Sequence, residues 1–73
     1  MDKSTIGTNA GIVWRTLHEK KENVPFRKLV DEIGLPDYEI AAAIGWLARE
    51  DKIWFTTAED GTLLLSVYQE YYY

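Results

Sequence analysis

Four basic residues are candidates for binding phosphate groups, and they fall into two pairs. Arg27 and Lys28 open a predicted helix, and the N-terminus of a helix favours anions. Arg49 and Lys52 lie where a later predicted helix gives way to a strand. Because a Lys or Arg that contacts a DNA phosphate releases condensed counterions, these four residues are candidate nucleic-acid contacts. The alternative, which we favour, is a solvated surface of mixed charge. Its balancing acids are Glu19, Glu22, Asp31 and Glu32.

No group of residues is suited to catalysis or to holding a metal ion. His18 is the only histidine, and there is no cysteine to pair with it. Ser4 and Ser66 have no evident proton relay, and no glycine-rich loop is present to bind a phosphate. Three pairs of acids are sequence neighbours and could bind a metal weakly, but neighbours in sequence rarely converge on one ion. These pairs are Asp31-Glu32, Glu50-Asp51 and Glu59-Asp60. We therefore expect a non-enzymatic protein with no cofactor, no metal and no small-molecule substrate.

Length and charge narrow the class of protein further. A chain of 73 residues allows one domain, which we place over residues 1–73. The net charge of -4 disfavours DNA binding, although a local basic patch can suffice. The first residues lack the apolar run of a signal peptide, and no apolar run approaches the ~18 residues that span a membrane. We expect a cytoplasmic protein that does not enter membranes.

Apolar residues recur at helical spacing in three stretches. Residues 6–17 predict a helix that begins between residues 5 and 9, because two glycines weaken its first turns. A short extended segment then leads into a short helix over about residues 25–33, with Gly34 as its left-handed C-terminal cap. The third helix begins near residue 36 or 37 and ends around residues 49–51.

A hairpin follows the third helix. Residues 52–57 and 62–67 are rich in β-branched and aromatic side chains, which favours strands. The turn between them contains Gly61, which can adopt positive φ. Alternation then places several apolar residues on one face of the hairpin. These are Leu63, Leu65 and Val67 on one strand, with Ile53 and Phe55 opposite them.

The order of these elements predicts the fold class. Two helices joined by a tight glycine-containing turn are typical of a helix-turn-helix, and a C-terminal hairpin adds a wing. The sequence therefore predicts a mainly α fold with a small β-hairpin, namely a three-helix winged helix-turn-helix domain. The predicted core is formed by Val13, Leu17, Leu29, Ile33, Ile40, Ile44, Leu47, Ile53, Phe55 and Leu65.

Several stretches resemble a known family. The segment Gly11-Ile12-Val13-Trp14 and the run of residues 43–53, with Leu17 and Leu29, are similar to the short, stand-alone winged helix-turn-helix proteins of bacteria and archaea. That family has no assigned function. The resemblance implies the same fold and a link to DNA or transcription, without a substrate, cofactor or catalytic residue. In the wider superfamily, the exposed face of the third helix and the wing tip contact DNA.

The third helix lacks the residues that read DNA. A reading helix presents Arg, Lys, Asn or Gln to base edges, mainly from its N-terminal part. That part carries Asp37 and Glu39, and the wing tip carries Glu59 and Asp60, all of which repel phosphates. Arg49 is the only basic residue on the outward face, and it lies at the C-terminal end.

Small and aromatic residues dominate this outward face instead. With Ile40 pointing inward and about 100° of rotation per residue, the opposite side of the helix can be assigned. Small residues there allow another helix to approach, and exposed aromatic residues are frequent anchors of interfaces. We therefore predict a protein interface, with a partner protein or with a second copy in a two-fold homodimer. Its residues are Tyr38, Ala41, Ala42, Gly45, Trp46 and Arg49.

The sequence leaves two functions open. The first is a winged-helix module that acts in transcription-related complexes, chiefly through protein contacts of its third helix. The alternative is a weak direct DNA-binding protein that uses the four basic residues on phosphates. For the interface itself, the alternative is that Trp46 packs against the hairpin and the alanines only favour helix.

We expect some of Tyr68, Tyr71 and Tyr72 to cover the first helix or the sheet.

Overall fold

The computed structural model describes residues 1–67 as three helices and a three-stranded sheet. The prediction for Tyr68, Tyr71 and Tyr72 lies outside the described residues. The fold is the predicted winged helix-turn-helix, with three helices followed by an antiparallel hairpin. In chain order the elements are α1 (Lys3–Lys20), β1 (Val24–Pro25), α2 (Phe26–Ile33), α3 (Asp37–Arg49), β2 (Ile53–Thr57) and β3 (Leu63–Val67).

Helix α1 begins at Lys3, before the predicted range of residues 5–9. The reason is an N-terminal cap, because Asp2 Oδ1 accepts hydrogen bonds from the backbone N–H and the hydroxyl of Thr5, at 2.8 and 2.9 Å. These bonds hold the pKa of Asp2 below its ordinary value. The cap therefore offsets the two glycines that we expected to delay the start of the helix.

The turn between α2 and α3 has the predicted geometry. Gly34 adopts a φ of 82°, and its N–H donates to the Val30 carbonyl at 2.8 Å. This left-handed cap ends α2, and α3 begins three residues later at Asp37. In the hairpin, Gly61 has a φ of 91° and donates to the Ala58 carbonyl at 2.9 Å, as expected for a glycine in such a turn.

The sheet has one strand more than the predicted hairpin. The extended segment β1 pairs with β3, so the strand order is β1-β3-β2 and every pair is antiparallel. Val24 lies opposite Leu65, and Phe55 lies opposite Leu65 from the other side. Pairing to β3 was not foreseen because a segment of two residues carries too little pattern to reveal a strand.

The core lies between the three helices and one end of the sheet. Most predicted core residues are buried, but Phe55 and Ile33 are exceptions. Phe55 is 48% exposed although Leu65, its cross-strand neighbour, is 0% exposed. In β2 only Ile53 is buried, so the helices of residues 1–67 cover only the start of this edge strand. Ile33 is the last residue of α2 and is half-buried. The buried apolar residues are Ala10, Val13, Leu17, Val24, Leu29, Val30, Ile40, Ala43, Ile44, Leu47, Ile53, Leu65 and Val67.

Candidate functional site

The inward face of α3 fixes the direction of its outward face. Ile40 and Ala43 are 0% exposed, and Ile44 and Leu47 are also buried. The burial of each isoleucine or leucine side chain stabilises the fold by about 1.5–3 kcal/mol. The rotation of α3 is therefore set by the core, and residues on its other side must face away from it.

The outward face carries the residues that the sequence placed there. Tyr38 is 62% exposed and Trp46 is 45% exposed. Ala41 and Gly45 are exposed between them, one turn apart along the helix. The face therefore presents two aromatic side chains around a region of small residues. Arg49 is exposed at the C-terminal end of α3, whereas Ala42 is half-buried at the border of the face.

Within residues 1–67, packing does not require a glycine at position 45. A Cβ atom built at Gly45 would meet no atom of the described residues within 4 Å, apart from its chain neighbours and the backbone of its own helix. Glycine in a helix interior costs about 0.5–1 kcal/mol relative to alanine. The residue therefore lowers the stability of α3 without serving the packing of this chain, and it leaves room for a close approach from outside.

The acids at the N-terminus of α3 are both held by other helices. Asp37 accepts two hydrogen bonds from Arg27, from Nη1 at 3.1 Å and from Nη2 at 2.6 Å. This pairing lowers the pKa of Asp37 and raises that of Arg27. Glu39 accepts a hydrogen bond at 3.1 Å from the buried side-chain amide of Asn9 on α1. These contacts bind α3 to α1 and α2, and they were not anticipated from the sequence.

The four candidate phosphate-binding residues do not form one patch. The ion pair with Asp37 places Arg27 at the N-terminus of α3 and occupies its guanidinium group. Lys28 neighbours it in sequence and is exposed. Arg49 ends α3, about 18 Å along the helix from Asp37 at 1.5 Å per residue, and Lys52 follows it. The two pairs therefore lie at opposite ends of α3.

The wing tip is acidic in the structure as in the sequence. Glu59 and Asp60 are both exposed between β2 and β3. Asp60 Oδ1 accepts a hydrogen bond at 2.9 Å from the backbone N–H of Thr62, and this contact lowers the pKa of Asp60. The charged carboxylate of Asp60 thus stabilises the turn. Its negative charge would repel DNA phosphates if the wing approached them.

A groove of about 720 Å³ runs beside the outward face, between α1 and α3. Trp46 on α3 and Trp14 on α1 both line it, and Gly7 and Gly11 on α1 contribute small surfaces. From the sequence alone, we interpreted the two glycines only as helix-weakening residues. Their spacing of four places them on one side of α1, and this was the signal that could have revealed the groove. Its other lining residues are Ala10, Arg15, Leu47, Asp51 and Lys52.

Other side chains of chemical interest do not line this groove. His18 packs against Trp14, with ring centroids 4.7 Å apart. Lys20 forms an ion pair with Glu32 at 2.7 Å, as expected for a surface of balanced charge. Within residues 1–67, no three His, Asp or Glu side chains come together in a way that could hold a metal ion. In the same part of the chain, none of the helices has the length and apolar character of a membrane span.

Comparison with known proteins identifies the family. Residues 1–67 match the winged helix-turn-helix domain family DUF2582. The chain belongs to this family. It is also similar to protein BT2368 from Bacteroides thetaiotaomicron, whose solution NMR structure superposes with a TM-score of 0.75. The two sequences are 35% identical, and the match covers 92% of this chain and 79% of BT2368. No curated protein matches the chain.

Proposed function

We propose that this member of the family is a non-enzymatic, cytoplasmic module that acts in transcription-related complexes through protein contacts of α3. The observation that carries the proposal is the chemistry of the outward face of α3. Tyr38 and Trp46 are 62% and 45% exposed, and exposed Ala41 and Gly45 lie between them. Aromatic anchors around small residues suit a contact with another helix, in which backbones approach closely.

The charges at the N-terminal part of α3 support protein rather than DNA as the partner. The N-terminal part of a recognition helix normally carries the residues that contact base edges. In this chain, Asp37 and Glu39 occupy that part and are engaged with Arg27 and Asn9. Arg27 is therefore neutralised where a phosphate contact would need its charge.

Weak DNA binding is the second candidate, and one observation favours it. Lys28, Arg49 and Lys52 are exposed, and within residues 1–67 none of them belongs to an ion pair. Three such residues can contribute phosphate contacts, but they lie at both ends of α3 with acids nearby. An affinity that depends on them falls steeply with salt, whereas an apolar contact does not.

The substitution Gly45→Arg tests the proposed interface. The space around Gly45 accepts a side chain, and Arg is a better helix former than Gly, so the free energy of unfolding should be unchanged or higher. A partner that packs on α3 should nevertheless be lost, because a long charged side chain blocks the approach. Self-association is measured as mass in solution, and partner binding is measured by capture from a lysate.

The matched control is Thr8→Arg, which adds the same side chain at an exposed position of α1. We expect this variant to keep any association that the natural chain shows. The proposal fails if the natural chain stays monomeric and every protein that it captures is also captured by the Gly45→Arg variant. The proposal is also contradicted if Gly45→Arg and Thr8→Arg both abolish binding of the same protein. In that case the added charge, and not its position on α3, prevents binding.

A further inference from the structure

The sheet has an open edge at β2. Within residues 1–67 the strand order is β1-β3-β2, so β2 has a neighbour on one side only. Proteins usually protect such edges with charged residues, proline or a bulge, because an open edge pairs with other strands. The five residues Ile53–Thr57 contain neither charge nor proline, and each is matched one-to-one with a residue of β3, without a bulge. The residues of β2 therefore supply none of these three protections.

The hairpin geometry shows which backbone groups face this edge. The Ala58 N–H donates to the Thr62 carbonyl at 2.9 Å, which marks these two residues as a hydrogen-bonded pair. In an antiparallel ladder such pairs alternate with pairs that share no hydrogen bond. Given the register Thr56–Leu64 and Phe55–Leu65, the first is a hydrogen-bonded pair and the second is not. The N–H and C=O groups of Phe55 therefore point away from β3.

The same alternation applies along the strand. Ile53 and Thr57 are each two residues from Phe55, so their backbone groups also point towards the open edge. Three consecutive outward positions can form a ladder with another strand. The Phe55 ring, 48% exposed beside this edge, adds an apolar surface to the backbone groups.

We propose that this edge pairs with β2 of a second copy of the chain, so that two chains form a two-fold symmetric dimer with one continuous antiparallel sheet. A two-fold axis at Phe55 places it opposite the partner's Phe55 and places Ile53 opposite the partner's Thr57. This register uses all three outward positions and makes about six interchain hydrogen bonds. The two Phe55 rings lie on the same face of the joined sheet, where each covers the other.

Charges at the two ends of β2 fit this arrangement. Lys52 precedes the strand, and the acidic wing tip, Glu59 and Asp60, follows it. In the proposed register Lys52 lies opposite the partner's Ala58, next to the acidic tip of that chain. Diagonal neighbours across an antiparallel pair are about 7–8 Å apart at the Cα atoms, which a lysine side chain spans. The two-fold axis repeats this pairing of opposite charges at the other end.

Amide hydrogen exchange measured by NMR at two protein concentrations tests the dimer. At about 1 mM, we expect a mass approaching twice the 8.5 kDa of one chain. Under that condition the amide of Phe55 should exchange at least about tenfold more slowly than in dilute protein. The amide of Thr56 donates within its own hairpin, so its protection should not depend on concentration. A monomer at every concentration, or a Phe55 amide whose exchange ignores concentration, overturns the proposal.

The variant Phe55→Lys provides a second test of the dimer. Phe55 is half exposed in one chain, so the monomer should still fold, while two like charges at the two-fold axis prevent pairing. The control is Leu63→Lys, a 40% exposed residue on the same face but on β3, which should leave the dimer intact.

The variants Gly45→Arg and Phe55→Lys distinguish the β2 dimer from the proposed interface on α3. Gly45→Arg should leave the β2 dimer unchanged, because α3 takes no part in the ladder. If Gly45→Arg dissociates the dimer and Phe55→Lys does not, the second copy binds α3 and the proposal for β2 is wrong. If the natural chain forms no dimer through β2 but still binds a partner through α3, only the inference about β2 is wrong.

Discussion

Helices α2 and α3 are both amphipathic, but their exposed sides differ in chemistry. The exposed positions of α2 are Arg27, Lys28, Asp31 and Glu32, all charged. The exposed positions of α3 include Tyr38, Ala41, Gly45 and Trp46. Charged side chains are well solvated and require no partner, whereas a contiguous apolar face marks a site of interaction. This difference supports the proposal that α3 carries the interaction surface, with α2 as its support.

The largest expected effect lies on the inward face of α3. Replacing Ile40, which is 0% exposed, with alanine should lower the free energy of unfolding by about 2–5 kcal/mol, through lost burial and the cavity left behind. Tyr38→Ala on the outward face should change it by less than about 0.5 kcal/mol. Urea denaturation of both variants measures the difference. Similar losses for the two would mean that Tyr38 serves the fold and not an interface.

The two glycines near α3 should respond to alanine in opposite directions. Gly34 has a φ of 82°, so Gly34→Ala should destabilise the chain by about 1–2 kcal/mol. Gly45 sits in a regular helix with open space around it, so Gly45→Ala should stabilise the chain by about 0.5–1 kcal/mol. Thermal unfolding of each variant beside the natural chain measures both changes. A loss of stability with Gly45→Ala would show a packing role that the structure does not contain.

The ion pair that joins α2 to α3 should make stability depend on pH. Arg27 holds the pKa of Asp37 below its ordinary value of 3.8, so the unfolded chain binds a proton at a higher pH than the folded chain does. The contribution of this pair is therefore complete above about pH 4 and is lost as the pH falls through the lowered pKa. The effect should be small because both side chains are exposed.

Melting temperatures at neutral pH and near pH 3 measure that dependence. The variant Asp37→Asn should lose less stability over this interval than the natural chain does. Glu59→Gln removes a charge from the wing and is the control, because Glu59 is far along the chain from this pair. Equal acid sensitivity of the natural chain and Asp37→Asn would mean that the pair contributes nothing in solution.

The sequence predicted the helices, the turn and the hairpin because their signals are local. Gly34 specifies a left-handed cap, and the spacing of Ile40, Ile44 and Leu47 specifies the rotation of α3. The burial of Phe55 was predicted wrongly because alternation gives the face of a strand but not the extent of the layer above it. The pairing of β1 depends on residues about forty positions apart in sequence, and local periodicity carries no information on such contacts.

The candidate site was predictable to a similar degree. Its residues follow from helical geometry alone, and the structure places them as the periodicity predicted, except that Ala42 is half-buried. The bonds from Arg27 to Asp37 and from Asn9 to Glu39 join separate helices. The groove between Trp14 and Trp46 likewise depends on how α1 packs against α3. These features require the tertiary structure, since long polar side chains have many partners compatible with one sequence.

The most direct test of the protein-binding role of α3 is an NMR titration of the natural chain with duplex DNA, at low salt and at physiological salt. We expect that the amide signals of Tyr38, Ala41, Gly45 and the wing tip do not shift at either salt concentration. Any weak effect should be confined to Lys28, Arg49 and Lys52 and should vanish as salt rises. Saturable shifts centred on α3 and the wing, persisting at physiological salt, would show that this face reads DNA and would contradict the protein-binding role.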